Sequence, residues 1–300
     1  MWRPLLGVGI LAGFIAFVQV YFGWRKLLTP WIHVPLGEIA VAAVLILASY
    51  WLRAVRFYDY FRVDMAGRFS LCIKLMLQHN LLNNLLPMRT GELSFPVLMN
   101  RYFAVPALRS MPALLWFRLL DLHTLAIFGV LAIHSTAWPW HLTAVILALW
   151  LPLPWLSFHF SARWRHALQD RHHLRAYRWL SKVLQGLPHA PQAFWRAWGW
   201  TVLNWLVKLG AFVWVLRLFV PVSLPAAWMG AIAGDLTSVL PVHGVAGAGT
   251  YEAGVVAGLL PYGVAAQAAL AAAVNLHLFL LGTTLAGGVL SLFIGGRRHG

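Results

Sequence analysis

Charge is scarce in this chain: of 300 residues only 10% are Asp, Glu, Lys or Arg, while 61% are hydrophobic. A soluble domain of this size carries roughly a quarter charged residues. So little charge would leave a water-facing surface mostly apolar, which excludes a soluble globular protein and requires lipid on the outside. Cysteine is almost absent. Cys72 alone excludes an internal disulfide and a cysteine-rich metal site, and among Ile73, Leu75 and Met76 it reads as inert. The strict apolar–polar alternation of barrel strands is missing as well, and so is a nucleotide-binding motif. Acids are few, 8 against 23 Lys and Arg, which leaves a net charge of +15. In a soluble protein that excess would suggest nucleic acid. Here the positive-inside bias and anionic lipid headgroups explain it, and no nucleic-acid partner is expected.

What the chain has in abundance is long apolar runs. About 20 such residues cross a bilayer, and a backbone without water must satisfy itself as helix. Six runs are expected to cross: Leu5–Phe22, Pro35–Arg53, Leu108–Ile133, Leu142–His159, Phe194–Leu218 and Ala265–Ile294. The first ends at Gly23-Trp24-Arg25-Lys26 without a cleavage pattern, so it reads as an uncleaved helix. Two further apolar stretches are broken. Phe69–Phe103 breaks at Leu86-Pro87-Met88-Arg89-Thr90-Gly91, and Ala226–Leu260 breaks at Leu240-Pro241-Val242-His243-Gly244, with Gly247 and Gly249 beyond. Both read as re-entrant helical hairpins.

The link between the fourth and fifth crossings carries Arg163, Arg165, Arg171, Arg175, Arg178, Lys182 and Arg196 against the single acid Asp170, which places it in the cytoplasm. Arg53, Arg56, Arg62 and Arg68 then fall on the same side, with Arg101, Arg109 and the Arg297-Arg298 tail. Both termini are expected there too, in a bacterial cytoplasmic (inner) membrane. Residues 161–190 read as a basic amphipathic helix on the inner leaflet, with Trp164, Leu168, Trp179, Val183 and Leu187 on its apolar stripe. With this topology the expected fold is an all-α polytopic membrane protein, one transmembrane domain over residues 1–300. Its six full crossings and two broken hairpins form an inverted repeat of halves 1–135 and 136–300. Interrupted segments at matching places in two inverted halves point to a midplane substrate site.

At Asn84-Leu85-Leu86-Pro87-Met88-Arg89-Thr90-Gly91-Glu92 the chain resembles the transmembrane, flippase-like domain of lysylphosphatidylglycerol synthases, a domain that also occurs as standalone membrane proteins. The resemblance continues at Phe117-Arg118-Leu119-Leu120-Asp121, at Leu240-Pro241, at Gly247-Ala248-Gly249-Thr250-Tyr251-Glu252 and at Gly282. It implies a lipid substrate and a flippase-like or transporter-like role, in some relatives beside hopanoid or other envelope-lipid pathways. Phe117 stands where relatives often have glutamate, and the last helix offers Asn275 and His277 where they often have arginine. With no soluble aminoacyl-transfer domain in the sequence, synthase activity is not implied.

Charge inside a bilayer costs at least about 2.5–3.5 kcal/mol per residue, so each intramembrane charge needs a partner or a use. Arg89, Thr90 and Glu92 fall at the first break. Thr90 is expected to cap the returning half-helix with Glu92 in its first turn, and Asn84 belongs to a polar stripe with Gln78, Asn80 and Asn83. Thr250 and Glu252 repeat the arrangement in the second hairpin, below His243. Arg118 and Asp121, three apart on one helix, are expected to pair. Asp235 is expected to pair with an arginine or with Lys208. The local reading of the first break is a capped helix with its counter-ion. The functional reading is an anion site of helix N-termini and Arg89 holding an anionic phospholipid, aminoacyl-lipid or polyprenyl-phosphate headgroup. An intramembrane enzyme acting on a lipid phosphate, or an accessory scaffold of an envelope-lipid pathway, stays open beside it, with a homo-oligomer or pathway enzymes as further partners. No cofactor and no metal are expected.

Overall fold

Helix forms wherever the apolar runs lie, and every regular element among the described residues is α-helix or 3-10 helix. The structure is a computed structural model that describes residues 12–13, 15–20, 23–134, 138–167, 186–188, 190–237 and 245–295, excepting the side chains of residues 87–89, 162 and 164–167. The helices are α1 (Trp24–Leu28), α2 (Leu36–Tyr60), α3 (Phe69–Leu85), α4 (Ser94–Phe103), α5 (Ala107–His134), α6 (Trp140–Trp150), α7 (Leu153–Ala167), α8 (Pro191–Phe219), α9 (Leu224–Thr237), α10 (Thr250–Leu259) and α11 (Ala266–Phe293).

Among the described residues five stretches are long and apolar enough to cross a membrane: Leu36–Tyr60, Ala107–His134, Trp140–Ser161, Pro191–Phe219 and Ala266–Phe293. They coincide with five of the six expected crossings. The remaining one, Leu5–Phe22, lies largely outside the described residues, as does the amphipathic helix expected over 161–190. One boundary is corrected. The crossing expected to stop at Arg53 runs on to Tyr60, two turns further, because Arg56 is buried at 2% exposure and finds its charge partner inside the protein.

Each broken stretch contains two separate helices among the described residues. In the second, α9 has 14 residues and α10 has 10, or about 21 Å and about 15 Å of helix. Each is short of a hydrocarbon core of about 30 Å. The two helices pack against each other at glycines. A Cβ on Gly258 would lie 2.5 Å from the Met229 carbonyl oxygen, and one on Gly254 would lie 2.6 Å from that of Ala233. Small residues thus let two backbones touch where lipid supplies no hydrophobic force between helices. Gly258→Ala is expected to push α9 and α10 apart and lower stability by about 1–3 kcal/mol, readable as a lower unfolding temperature in detergent. In the first stretch, α3 and α4 flank a 3-10 segment, Pro87–Leu93.

The chain divides into two compact units. The first comprises residues 1–50, 77–94 and 206–293; the second comprises 51–76, 95–205 and 294–300. Each draws on both halves of the sequence. The second unit is built on aromatic packing: Phe57 lies 4.8 Å from Phe95 and 4.6 Å from Phe117, and Phe194 lies 5.4 Å from Trp155, ring centre to ring centre. Such pairs each contribute about 0.5–1.5 kcal/mol. Cys72 is buried there, as its apolar neighbours imply, with its thiol on the Ala54 carbonyl. The first unit is built on the α9–α10 hairpin, on α10 against α11, and on the first hairpin's tip.

Candidate functional site

In the first unit the first chain break meets the segment that follows the second: the 3-10 segment Pro87–Leu93 packs against a second 3-10 segment, Val245–Gly247. The first tip folds back on its own helix. Gly91 lies so close to the backbone of Leu82 and Asn83 that any side chain at this position would collide with it. That contact gives the glycine of the Thr90-Gly91-Glu92 motif a physical reason. His79 Nδ1 and Ser94 Oγ, 2.9 Å apart, tie the two ends of the tip together. Asn84 donates to Thr284 Oγ1 at 2.8 Å, which fixes α3 on α11. Asn84 therefore serves as an interhelical bond, the plainer account of the polar stripe.

The capping expected of the first tip is corrected. Helix α4 starts at Ser94, so Thr90 does not cap it, and Glu92 lies in the 3-10 tip before the helix. Pro96 is the cause. A proline fits only in a helix's first turn, where its missing N–H is unneeded, and this sets the start two residues after Glu92. Thr90 is exposed and Glu92 half-buried, and both engage neighbours. Arg89 has its backbone in the same tip.

At the second tip Glu252 falls in the helix's first turn as expected, but the capping expected of Thr250 is corrected, because the glycine before it takes that place. Gly249 is the N-cap of α10, Thr250 opens the helix, and Glu252 sits in its first turn. Glu252 Oε2 accepts the Gly249 N–H at 2.8 Å, and the Thr250 hydroxyl donates to the Gly247 carbonyl at 3.0 Å. The other carboxylate oxygen, Oε1, lies 2.7 Å from His277 Nδ1 on α11, and His277 Nε2 donates to the Ala246 carbonyl at 2.8 Å. The Tyr251 ring packs on the same imidazole, 4.6 Å between centres. Of the two partners open to Asp235, the structure selects Lys208, 2.9 Å away and likewise buried. His243 lies outside the described residues.

Sequence reasoning registered His277 only as a departure from relatives and gave it no partner. Its one signal was a lone polar ring in the middle of an apolar helix. Asn275 is structural: it accepts from the Trp31 indole at 2.6 Å and donates to the Leu27 and Ala271 carbonyls.

Arg118 and Asp121 belong to the second unit. Their expected pairing is real but is not the main one. Arg118 Nη1 lies 3.7 Å from Asp121 Oδ2, whereas Arg56 Nη1 lies 2.6 Å from Oδ1. The Trp205 indole also donates to Oδ1 at 2.9 Å, and Arg56 donates to Thr201 Oγ1 at 2.9 Å. The Arg56 guanidinium sits 4.6 Å above the Phe117 ring, so the position where relatives often carry an acid here supplies an aromatic face. Arg56 was missed because it read as an arginine past a helix end.

These groups sit among helices of membrane-crossing length, and the protein is a multi-pass membrane protein. No curated protein and no solved structure matches the chain. The profile of the family described as lysylphosphatidylglycerol synthase TM region matches residues 5–288. That span leaves only the chain's ends outside it and takes in both hairpin tips, and the chain belongs to this family.

Proposed function

We propose that the protein is a lipid flippase or transporter whose headgroup site is formed by the two hairpin tips. The observation that carries this reading is the packing of Pro87–Leu93 on Val245–Gly247. In this reading the tips offer N–H groups, Arg89, Thr90 and Glu92 from one side, and Glu252 and Thr250 from the other, to one headgroup. Such breaks are tolerated at membrane depth only where protein or a polar cavity receives them. Paired breaks are the arrangement by which transporters hold substrate between inverted halves. Residues 1–135 and 136–300 are those halves, each with three crossings and one hairpin. The membrane is the bacterial inner membrane, and the arginine-rich link and both termini face the cytoplasm.

The substrate is an anionic phospholipid, an aminoacyl-lipid or a polyprenyl-phosphate lipid. Its phosphate rests on Arg89 and the backbone of the tips, its acyl chains stay in lipid, and the carboxylates balance charge or receive a cationic headgroup. The test is reconstitution into vesicles with headgroup-labelled lipid. Wild type is expected to move lipid faster than empty vesicles, and Glu92→Gln to slow it by about tenfold or more, the scale of one charge-assisted hydrogen bond. Equal rates for wild type, Glu92→Gln and empty vesicles would end this reading.

A further inference from the structure

The contact between Glu252 and His277 becomes informative once its hydrogens are counted. A carbonyl oxygen only accepts, so the Ala246 carbonyl, 2.8 Å from His277 Nε2, fixes a hydrogen on that nitrogen. The ring's other nitrogen, Nδ1, lies 2.7 Å from Glu252 Oε1. A bond of that length needs a second hydrogen, carried either by Nδ1 or by the carboxyl group; without it two lone pairs would face each other. The pair is therefore neutral and holds one exchangeable proton, buried at 2% and 4% exposure.

That proton joins three pieces of chain. His277 belongs to α11, Ala246 to the second tip, and Glu252 to the first turn of α10, where its Oε2 also holds the Gly249 N–H. The tip is not relaxed on its own. Ala246 sits at φ 55° and ψ 16°, a left-handed conformation that a residue with a Cβ resists. The His277 hydrogen bond to its carbonyl is part of what keeps it there.

We infer that Glu252 and His277 form a proton-binding latch on the second hairpin tip. With the shared proton bound, imidazole and carboxylate close on each other and the tip stays against the first. When the proton leaves to water, the neutral ring has one hydrogen for two contacts, so a lone pair faces either the Glu252 carboxylate or the Ala246 carbonyl; that contact parts and the tip is released. Taken with the tips as the headgroup site, on which this consequence rests, a proton gradient then opens and closes the site in turn.

Among the described residues, the other charged and titratable groups nearby do not hold the proton. Tyr251 packs on the ring. Asp235, on the packed helix α9, is neutralised by Lys208. Arg25 and Lys26, on α1 against α11, are exposed. Arg89 and Glu92 lie in the opposing tip.

The test places a cysteine at Ala248, buried at 6% beside the tip, in a Cys72→Ser background, and follows its labelling by a small water-soluble maleimide as pH rises. Glu252→Gln is the decisive variant. Its amide donates to Nδ1 and its oxygen accepts from Gly249, so the latch stays closed with no proton to lose. Dividing each rate by that of Glu252→Gln at the same pH cancels the thiol's own ionisation. The expected ratio rises about tenfold or more with pH in the wild-type background, and Glu252→Ala labels fast throughout. A flat ratio, or Glu252→Gln labelling as fast as Glu252→Ala, overturns the latch. Should Glu252→Ala not fold, wild type against Glu252→Gln decides alone. In vesicles, an imposed pH gradient is expected to drive lipid movement by wild type and not by Glu252→Gln. A pH-dependent ratio in a protein that moves no lipid would retain the latch and discard the transport reading.

Discussion

Asp121→Ala lowers stability by about 3–5 kcal/mol, the cost of leaving a buried charge without its partner. The carboxylate accepts from Arg56 at 2.6 Å and from the Trp205 indole at 2.9 Å, so the substitution removes the guanidinium's charge partner and an acceptor of the indole together. Arg56 has no route to water, being 2% exposed and stacked over Phe117. The loss is read as a fall in unfolding temperature in detergent or as premature unfolding in denaturant. Asp121→Leu combined with Arg56→Met removes both charges and is expected to recover most of the loss, because a buried ion pair is worth little against apolar groups of similar volume. Equal destabilisation by the single and the double substitution would show that packing, not charge, is what Asp121 supplies.

Lys208→Met acts by the same physics in the other unit. It removes the ammonium 2.9 Å from Asp235 and leaves that carboxylate buried in the hairpin helix α9, with an expected cost of about 3–5 kcal/mol. The methionine keeps the stem's packing beside Phe212, whose ring lies 5.1 Å from the ammonium, so the deficit reports charge rather than volume. Lys208→Met with Asp235→Leu should restore stability in the same thermal assay. If the single variant is as stable as wild type, the ion pair is not what fixes α9 to α8.

The crossings could be read from the sequence because length and apolarity decide them without help from tertiary contacts. Helices α5, α8 and α11 therefore begin and end within three residues of expectation. The breaks were equally plain, since Pro87 interrupts one apolar run and glycines interrupt the other. Charge pairing across distant segments was not readable. Asp121 had an obvious neighbour in Arg118 one turn away, while its closer partner stands 65 positions earlier, at a place that looked like a loop. The tips show the same limit on a smaller scale. Thr90-Gly91-Glu92 and Thr250-Tyr251-Glu252 look alike, yet only the second starts a helix, because Pro96 moves the first start to Ser94. His277 needed the fold to bring α11 against α10 before its partner existed.

A lipid carrying a photoactivatable headgroup, cross-linked in vesicles and mapped by mass spectrometry, asks most directly whether the tips receive a headgroup. Adducts are expected on residues 87–93 and 245–252, competed away by unlabelled lipid of the same headgroup and lost in Arg89→Ala. Adducts confined to the outer faces of the crossing helices, in the pattern given by a probe on the acyl chain, would contradict a headgroup site at the tips.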